Sequence, residues 1–211
     1  MNRLCGLLVI GLVSHVFIEG LGAQASRVIP FDRNVPIAER LRPTDTIVKV
    51  KKTGFPPLEG SGRETFQEEI KRLGDYQTIA VLRVLNIDGQ LVDGGTWVRT
   101  EVRSSVRDIV RDRLSAAQSG FIVMSHDGGQ VRIKNTTVDA GVYPVFSPGQ
   151  QYLVFLALDR RRNTLSPSGA FQLDQRGILR VIQNSDGTFI LPNSNLIGRT
   201  GAEIQAALAA K

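Results

Sequence analysis

From Thr78 to Gln183 the chain is a succession of β-branched runs cut by aspartate–glycine and glycine–glycine pairs. That pattern limits its folds more than any other feature. Thr78 to Ile87 is dense in isoleucine, valine and leucine, and Asp88-Gly89 and Asp93-Gly94-Gly95 follow it. Such pairs reach positive φ at little cost, so a turn region is expected over 88–95. Thr96 to Val106 then alternates. Val98, Thr100, Val102, Ser104 and Val106 fall on one side, and Arg99, Glu101, Arg103 and Arg107 on the other. Period two predicts a strand up to about Val106; the four-residue spacing of the arginines also fits a helix and leaves the residues beyond open.

The alternation recurs downstream. Phe121–His126, Asp127-Gly128-Gly129 and Gln130–Thr137 read as a β-hairpin, and Ser147-Pro148-Gly149 as a turn. Gln151–Leu158 has the composition of the most buried strand. Ala170–Leu173 and Gly177–Gln183 add two more, near an Asp186-Gly187 turn. Strands joined by hairpins rather than helices predict a mainly β fold, an antiparallel sheet closed into a barrel or sandwich.

Two short helices flank the strands. Ser61 and Glu64 have capping-box spacing, Phe66, Ile70 and Leu73 share a face, and Gly74 supplies a stop, which predicts a helix over Arg63–Leu73. Thr200 with Glu203 starts a closing helix through Ile204, Ala207 and Leu208. Before the first helix, Pro30, Pro36, Pro43, Pro56 and Pro57 describe an extended arm over 26–60, with one short strand at Thr46–Lys52. The expected organisation is a leader over 1–25, the arm over 26–60, a helix and β-barrel over 61–190, and a tail with a short helix over 191–211.

The leader reading rests on charge and hydropathy. Arg3 is followed by a nearly unbroken apolar run, Leu4–Ile18, and then by Ala23-Gln24-Ala25, the small-x-small pattern of a cleavage site. Cleavage between Ala25 and Ser26 would leave 211 minus 25, or 186, residues. One charge of each sign (Arg3 and Glu19) would leave with the leader, so the net charge stays at +6. Cys5 and His15 would leave as well. The remaining chain has no cysteine and a single histidine, His126. A secreted, periplasmic or extracellular chain of this kind must fold on its hydrophobic core without disulfides.

At Phe146-x-x-Gly149-x-x-Tyr152-Leu153-Val154-x-Leu156 the sequence resembles the netrin-like modules and the tissue inhibitors of metalloproteinases. The resemblance covers roughly Tyr76–Gln183 and implies a five-stranded barrel of the oligonucleotide/oligosaccharide-binding (OB) type. In those inhibitors an N-terminal cysteine chelates the target's metal. Ser26 stands at the expected N-terminus here, so the resemblance implies a fold and no inhibitory residue.

Chemistry-bearing clusters are sparse. One histidine and no cysteine argue against a zinc or iron site, and no cofactor is expected. Asp88, Asp93, Asp127 and Asp186 each adjoin a glycine without calcium-loop spacing, and are read as turn formers. Ser125, His126 and Asp127 are consecutive, so a strand would send Ser125 and His126 to opposite faces, and His126 is read as an exposed turn-edge residue. No catalytic residue is assigned. The candidate binding residues are the arginines Arg99, Arg103 and Arg107, with Trp97 beside them, and the run Arg160, Arg161 and Arg162. Basic side chains interleaved with an aromatic suit a polymer-binding strand face, and a solvated edge equally. Asn135-Thr136-Thr137 is a glycosylation sequon. These readings converge on an exported, non-catalytic binding module for a protein or polysaccharide rather than nucleic acid. The loops Asp88–Gly95 and Arg160–Ser168 are its expected contact surface. An anionic-polymer binder and a hydrolase are the alternatives.

Overall fold

The computed structural model describes residues 26–51 and 64–210. The leader, including Ala25, and the Pro56-Pro57 stretch lie outside them. The chain begins with β1 (Arg27–Pro30), a 3-10 turn (Ile37–Arg40) and β2 (Ile47–Lys51), followed by α1 (Phe66–Leu73). The long strands β3 (Thr78–Val92) and β4 (Trp97–Asp112) come next, then β5 (Phe121–Asp127), β6 (Gly129–Ile133) and β7 (Thr136–Ala140). After β8 (Gln151–Asp159) and β9 (Thr164–Leu173) come the short β10 (Leu179–Arg180), β11 (Ile182–Gln183) and β12 (Phe189–Ile190), and finally α2 (Gly201–Ala209).

Five strands close a barrel in the ring order β3-β4-β5-β9-β8, with β8 returning to β3. The barrel is mixed, not antiparallel throughout as expected: β5 and β9 run parallel, joined at Met124 and Leu165. Parity requires this. Strands that alternate direction around a ring of five meet one neighbour running the same way. The turn from β3 to β4 is tighter than expected. Asp88-Gly89 continues the strand, and only Asp93–Thr96 turns, with Asp93, Gly94 and Gly95 all at positive φ.

The alternation along β4 is realised. Val98, Thr100, Val102 and Ser104 are buried on the inner side, and Arg103 and Arg107 are exposed. The strand runs on to Asp112 through register shifts opposite β3. β8 explains its continuous apolar run by burial on both faces. Tyr152, Val154 and Leu156 belong to the barrel interior, while Leu153 and Phe155 pack outside against Ile70, Leu73, Ile204 and Leu208 of the two helices. The Phe146–Leu156 motif is a local closure: Phe146 meets Tyr152 edge-on at 5.0 Å, and the Ser147 amide donates to Tyr152 Oη at 2.9 Å.

Helix α1 starts later than expected. Thr65 and Glu68, not Ser61 and Glu64, form its capping box, and Ser61 and Arg63 lie outside the described residues. Helix α2 is capped by Thr200 and Glu203 as expected.

The described part of the expected arm is an ordered layer. β1, β2, β7 and β6 form a second sheet in that order, with the β1–β2 and β2–β7 pairs parallel. Ile29, Ile37, Val48 and Val50 pack with Trp97, Val98, Val138 and Ala140 in their own core cluster. The prolines permit this because Pro30 ends β1 and Pro36 precedes the 3-10 turn, where a missing N–H costs nothing.

The expected hairpin between β5 and β6 does not form. β5 pairs with β4 and β9, whereas β6 pairs with β7 through a turn at Lys134–Asn135. Gly128 (φ 88°) and Gly129 (φ 134°) instead carry the chain out of the barrel and across it. A Cβ at Gly129 would lie 1.8 Å from Thr100 Oγ1, and one at Gly89 only 1.8 Å from the Gln130 carbonyl oxygen. Missing side chains thus let the second sheet sit directly on the barrel.

Candidate functional site

The arginines divide into groups once the strands are in register. Arg99 on β4 faces Asp127 at the end of β5. Its Nε lies 3.8 Å from Asp127 Oδ1, and Arg162 Nη1 lies 2.7 Å from the same oxygen. Arg162 also approaches Asp159 at 3.9 Å. The hydrogen bond to Asp127, followed by the charges of Asp127, Asp159 and Asp93, raises the Arg162 pKa against the opposing effect of burial. The β8–β9 turn is therefore tied to the end of β5 beside Arg99 of β4.

The β8–β9 turn is shorter than the expected Arg160–Ser168 loop. β9 begins at Thr164, and Asn163 takes the positive φ that closes the turn. Arg160 and Arg161 are exposed on it and make no ion pair among the described residues. Arg103 lies further along β4 with its guanidinium carbon 5.7 Å from the Phe121 ring centre. Arg107 sits at a register shift, where Val106 and Asp108 oppose consecutive residues of β3.

Trp97 does not join this face. It is buried in the second sheet's core, edge-on to Phe31 at 5.0 Å. Its apolar neighbours in the layer supply more contact than an outer strand surface would. The exposed aromatic on this face is Phe121, with Val123 two residues along. The alternation Phe121-x-Val123 was visible in the sequence, but nothing in one strand says which of its faces is covered. Glu101, between Arg99 and Arg103, and Asp127 leave the face mixed in charge.

A second site lies around His126. This residue is not an exposed turn edge: it is half-buried opposite Thr100, and its ring stacks on Tyr143 at 5.8 Å and 15°. Phe146 lies tilted at 6.2 Å. Burial lowers the His126 pKa below 6.5, opposed by a hydrogen bond and charge at Asp127, so the ring is neutral at pH 7. Ser125, its chain neighbour, pairs with Glu101 on the opposite side of the strand.

Tyr143 and His126 line a cavity of about 320 Å³ with Thr100, Gln130, Asp139 and Ser185. Ile87 and Phe146 supply apolar wall. Tyr143 Oη donates to Asp139 Oδ1 at 3.0 Å. Burial first, and then the Asp139 charge, raise the phenol far above its ordinary range, so it remains a donor. No signal in the linear sequence assembles these residues, which come from β3, β4, β5, β6, β7 and two loops.

The remaining sequence candidates resolve as local structure. Asp186 accepts from the Thr188 amide and hydroxyl at 3.0 and 2.6 Å and closes its own turn. Asn135 is exposed at the β6–β7 turn. Among the described residues no group of three or more histidines, cysteines or carboxylates is placed to hold a metal, and no helix is long and apolar enough to cross a membrane.

The fold defines a closed five-stranded β-barrel consistent with the OB class, carrying a second mixed sheet. No protein-family model matches the chain, and no curated protein matches it in sequence.

Proposed function

We propose that this chain is an exported, non-catalytic interaction module that engages a protein or polysaccharide through the outer face of β4 and β5. The observation that carries the reading is the composition of that face. Phe121 and Val123 stand 44% and 50% exposed beside Arg103, with the Arg99–Asp127–Arg162 cluster at one end. Exposed apolar groups among hydrogen-bonding charges suit a specific contact better than a general attraction to polyanions. The strand pair and its two flanking turns also occupy the surface that OB barrels use for ligands. The likeness to netrin-like modules belongs with this reading, supported by the closure of Phe146 and Ser147 on Tyr152 and the ring order of the barrel. Export rests on the leader sequence.

The test is capture of secreted and envelope material by the full chain, at low and high salt, with Phe121→Ala and Val123→Asp as comparisons. A discrete partner held at high salt and lost in both variants supports the reading. A partner indifferent to both variants refutes it. The unpaired Arg160 and Arg161 favour the second reading, an anionic polymer, which predicts binding lost steeply with salt and abolished by reversing both charges.

A further inference from the structure

The cavity beside His126 is separate from the β4–β5 outer face, and its chemistry is different. Asp139 is the acidic side chain of its lining among the described residues, and burial keeps His126 neutral and Tyr143 protonated. Among the described residues no lysine or arginine lines it. Lys49 is the register partner of Asp139 on β2, yet no ion pair among the described residues reaches Asp139. The Tyr143 hydroxyl engages one carboxylate oxygen, Oδ1. The second oxygen, Oδ2, has no hydrogen-bond partner among the described residues.

The walls narrow the ligand further. Phe146 and the Tyr143–His126 stack present aromatic surface, and Gln130 and Ser185 add neutral polar groups. A carboxylate framed by aromatic rings and an amide suits a planar cation, which stacks and pairs at once, better than a compact, strongly hydrated ammonium. An anion would meet repulsion from Asp139 with no compensating charge in the lining.

The rim identifies the source of that cation. Val142, Val145 and Phe189 are 58%, 44% and 52% exposed. Val145 lines the cavity itself, and Val142 precedes Tyr143. Phe189 pairs with Gln183, whose carbonyl accepts from the Val145 amide, so Val145 and Phe189 belong to one ledge. A polar pocket inside an apolar rim is how protein interfaces seat a buried arginine, with surrounding contacts that exclude water.

We propose that this cavity receives the guanidinium group of an arginine side chain presented by a protein partner. Asp139 pairs with it, the aromatic walls cover its faces, and the Val145–Phe189 ledge contacts the residues that flank it. The proposal is independent of the β4–β5 face and stands or falls without it.

The experiment uses the full chain and two capped pentapeptides, each with leucines on either side of a central residue. One carries arginine there and the other citrulline, which has nearly the same shape and no charge. Binding is followed by amide chemical shifts. The expected result is saturable shifts at His126, Asp139 and Tyr143 with the arginine peptide, and affinity at least about tenfold weaker for citrulline. Asp139→Asn should weaken the arginine peptide by a similar factor. Because the citrulline comparison uses the unaltered chain, it decides the matter even if the variant misfolds. Equal binding of both peptides, or no shifts at those residues at millimolar peptide, overturns the proposal. Capped arginine alone binding as tightly as the peptide overturns the assignment to a protein partner.

Discussion

Glu69→Gln should destabilise this protein far more than its conservative chemistry suggests. Glu69 lies on α1 at 3% exposure, and its two oxygens tie the helix to the segment before α2. Oε1 accepts from Ser194 Oγ at 2.6 Å, and Oε2 accepts from the Asn195 amide at 2.8 Å. Arg72 approaches Oε1 at 3.7 Å. Glutamine keeps one acceptor but presents an NH2 group where the second oxygen stood. With the NH2 toward Asn195 donor faces donor; with it toward Ser194 the hydroxyl must accept instead, and its own proton loses the Glu69 oxygen. Either way the change removes a charge-assisted hydrogen bond and leaves one donor without its partner, for a combined loss of about 2–3 kcal/mol. In a chain of this size that corresponds to roughly 4–12 °C in melting temperature. Urea denaturation followed by the single tryptophan, Trp97, and by far-UV circular dichroism would measure it. Glu68→Gln is the control. Glu68 is exposed and serves the capping box, where glutamine also works, so its loss should stay within about 0.5 kcal/mol. Equal stabilities of the two variants would refute the reasoning.

Two further perturbations test other junctions. Gly89→Ala should cost about 1–3 kcal/mol or more, because the new methyl meets the backbone of β6 and neither strand can rotate it away; an unchanged denaturation midpoint would show that the sheets are not in contact there. Stability should also fall as pH drops below about 6.5. Burial depresses the His126 pKa in the folded chain, so the stability it contributes is present above the unfolded value and is lost as pH falls through the folded one. His126→Gln should flatten the dependence of unfolding free energy between pH 7 and 5, and an identical slope in the variant would exclude His126 as its source.

The sequence by itself determined local structure. Period two sorted β4 into two faces, Val98 to Ser104 at the even positions on one and Arg99 to Arg107 at the odd positions on the other, because successive side chains on a strand must alternate. Thr200 and Glu203 marked the start of α2 since their side chains satisfy amides only a turn away. Glycine at 94 and 95 marked a turn for a similarly local reason. Tertiary structure decided whatever depends on distant neighbours. Phe121 is exposed and Trp97 buried because a layer built from β1, β2, β6 and β7 covers one and not the other. The same layer draws Gly128-Gly129 away from a hairpin, and the loop through Tyr143 brings Asp139 to His126. The parallel β5–β9 contact follows from closing an odd ring, a constraint no single strand carries. Alternation and capping act over a few residues, whereas covering, crossing and closure are properties of how elements meet in space.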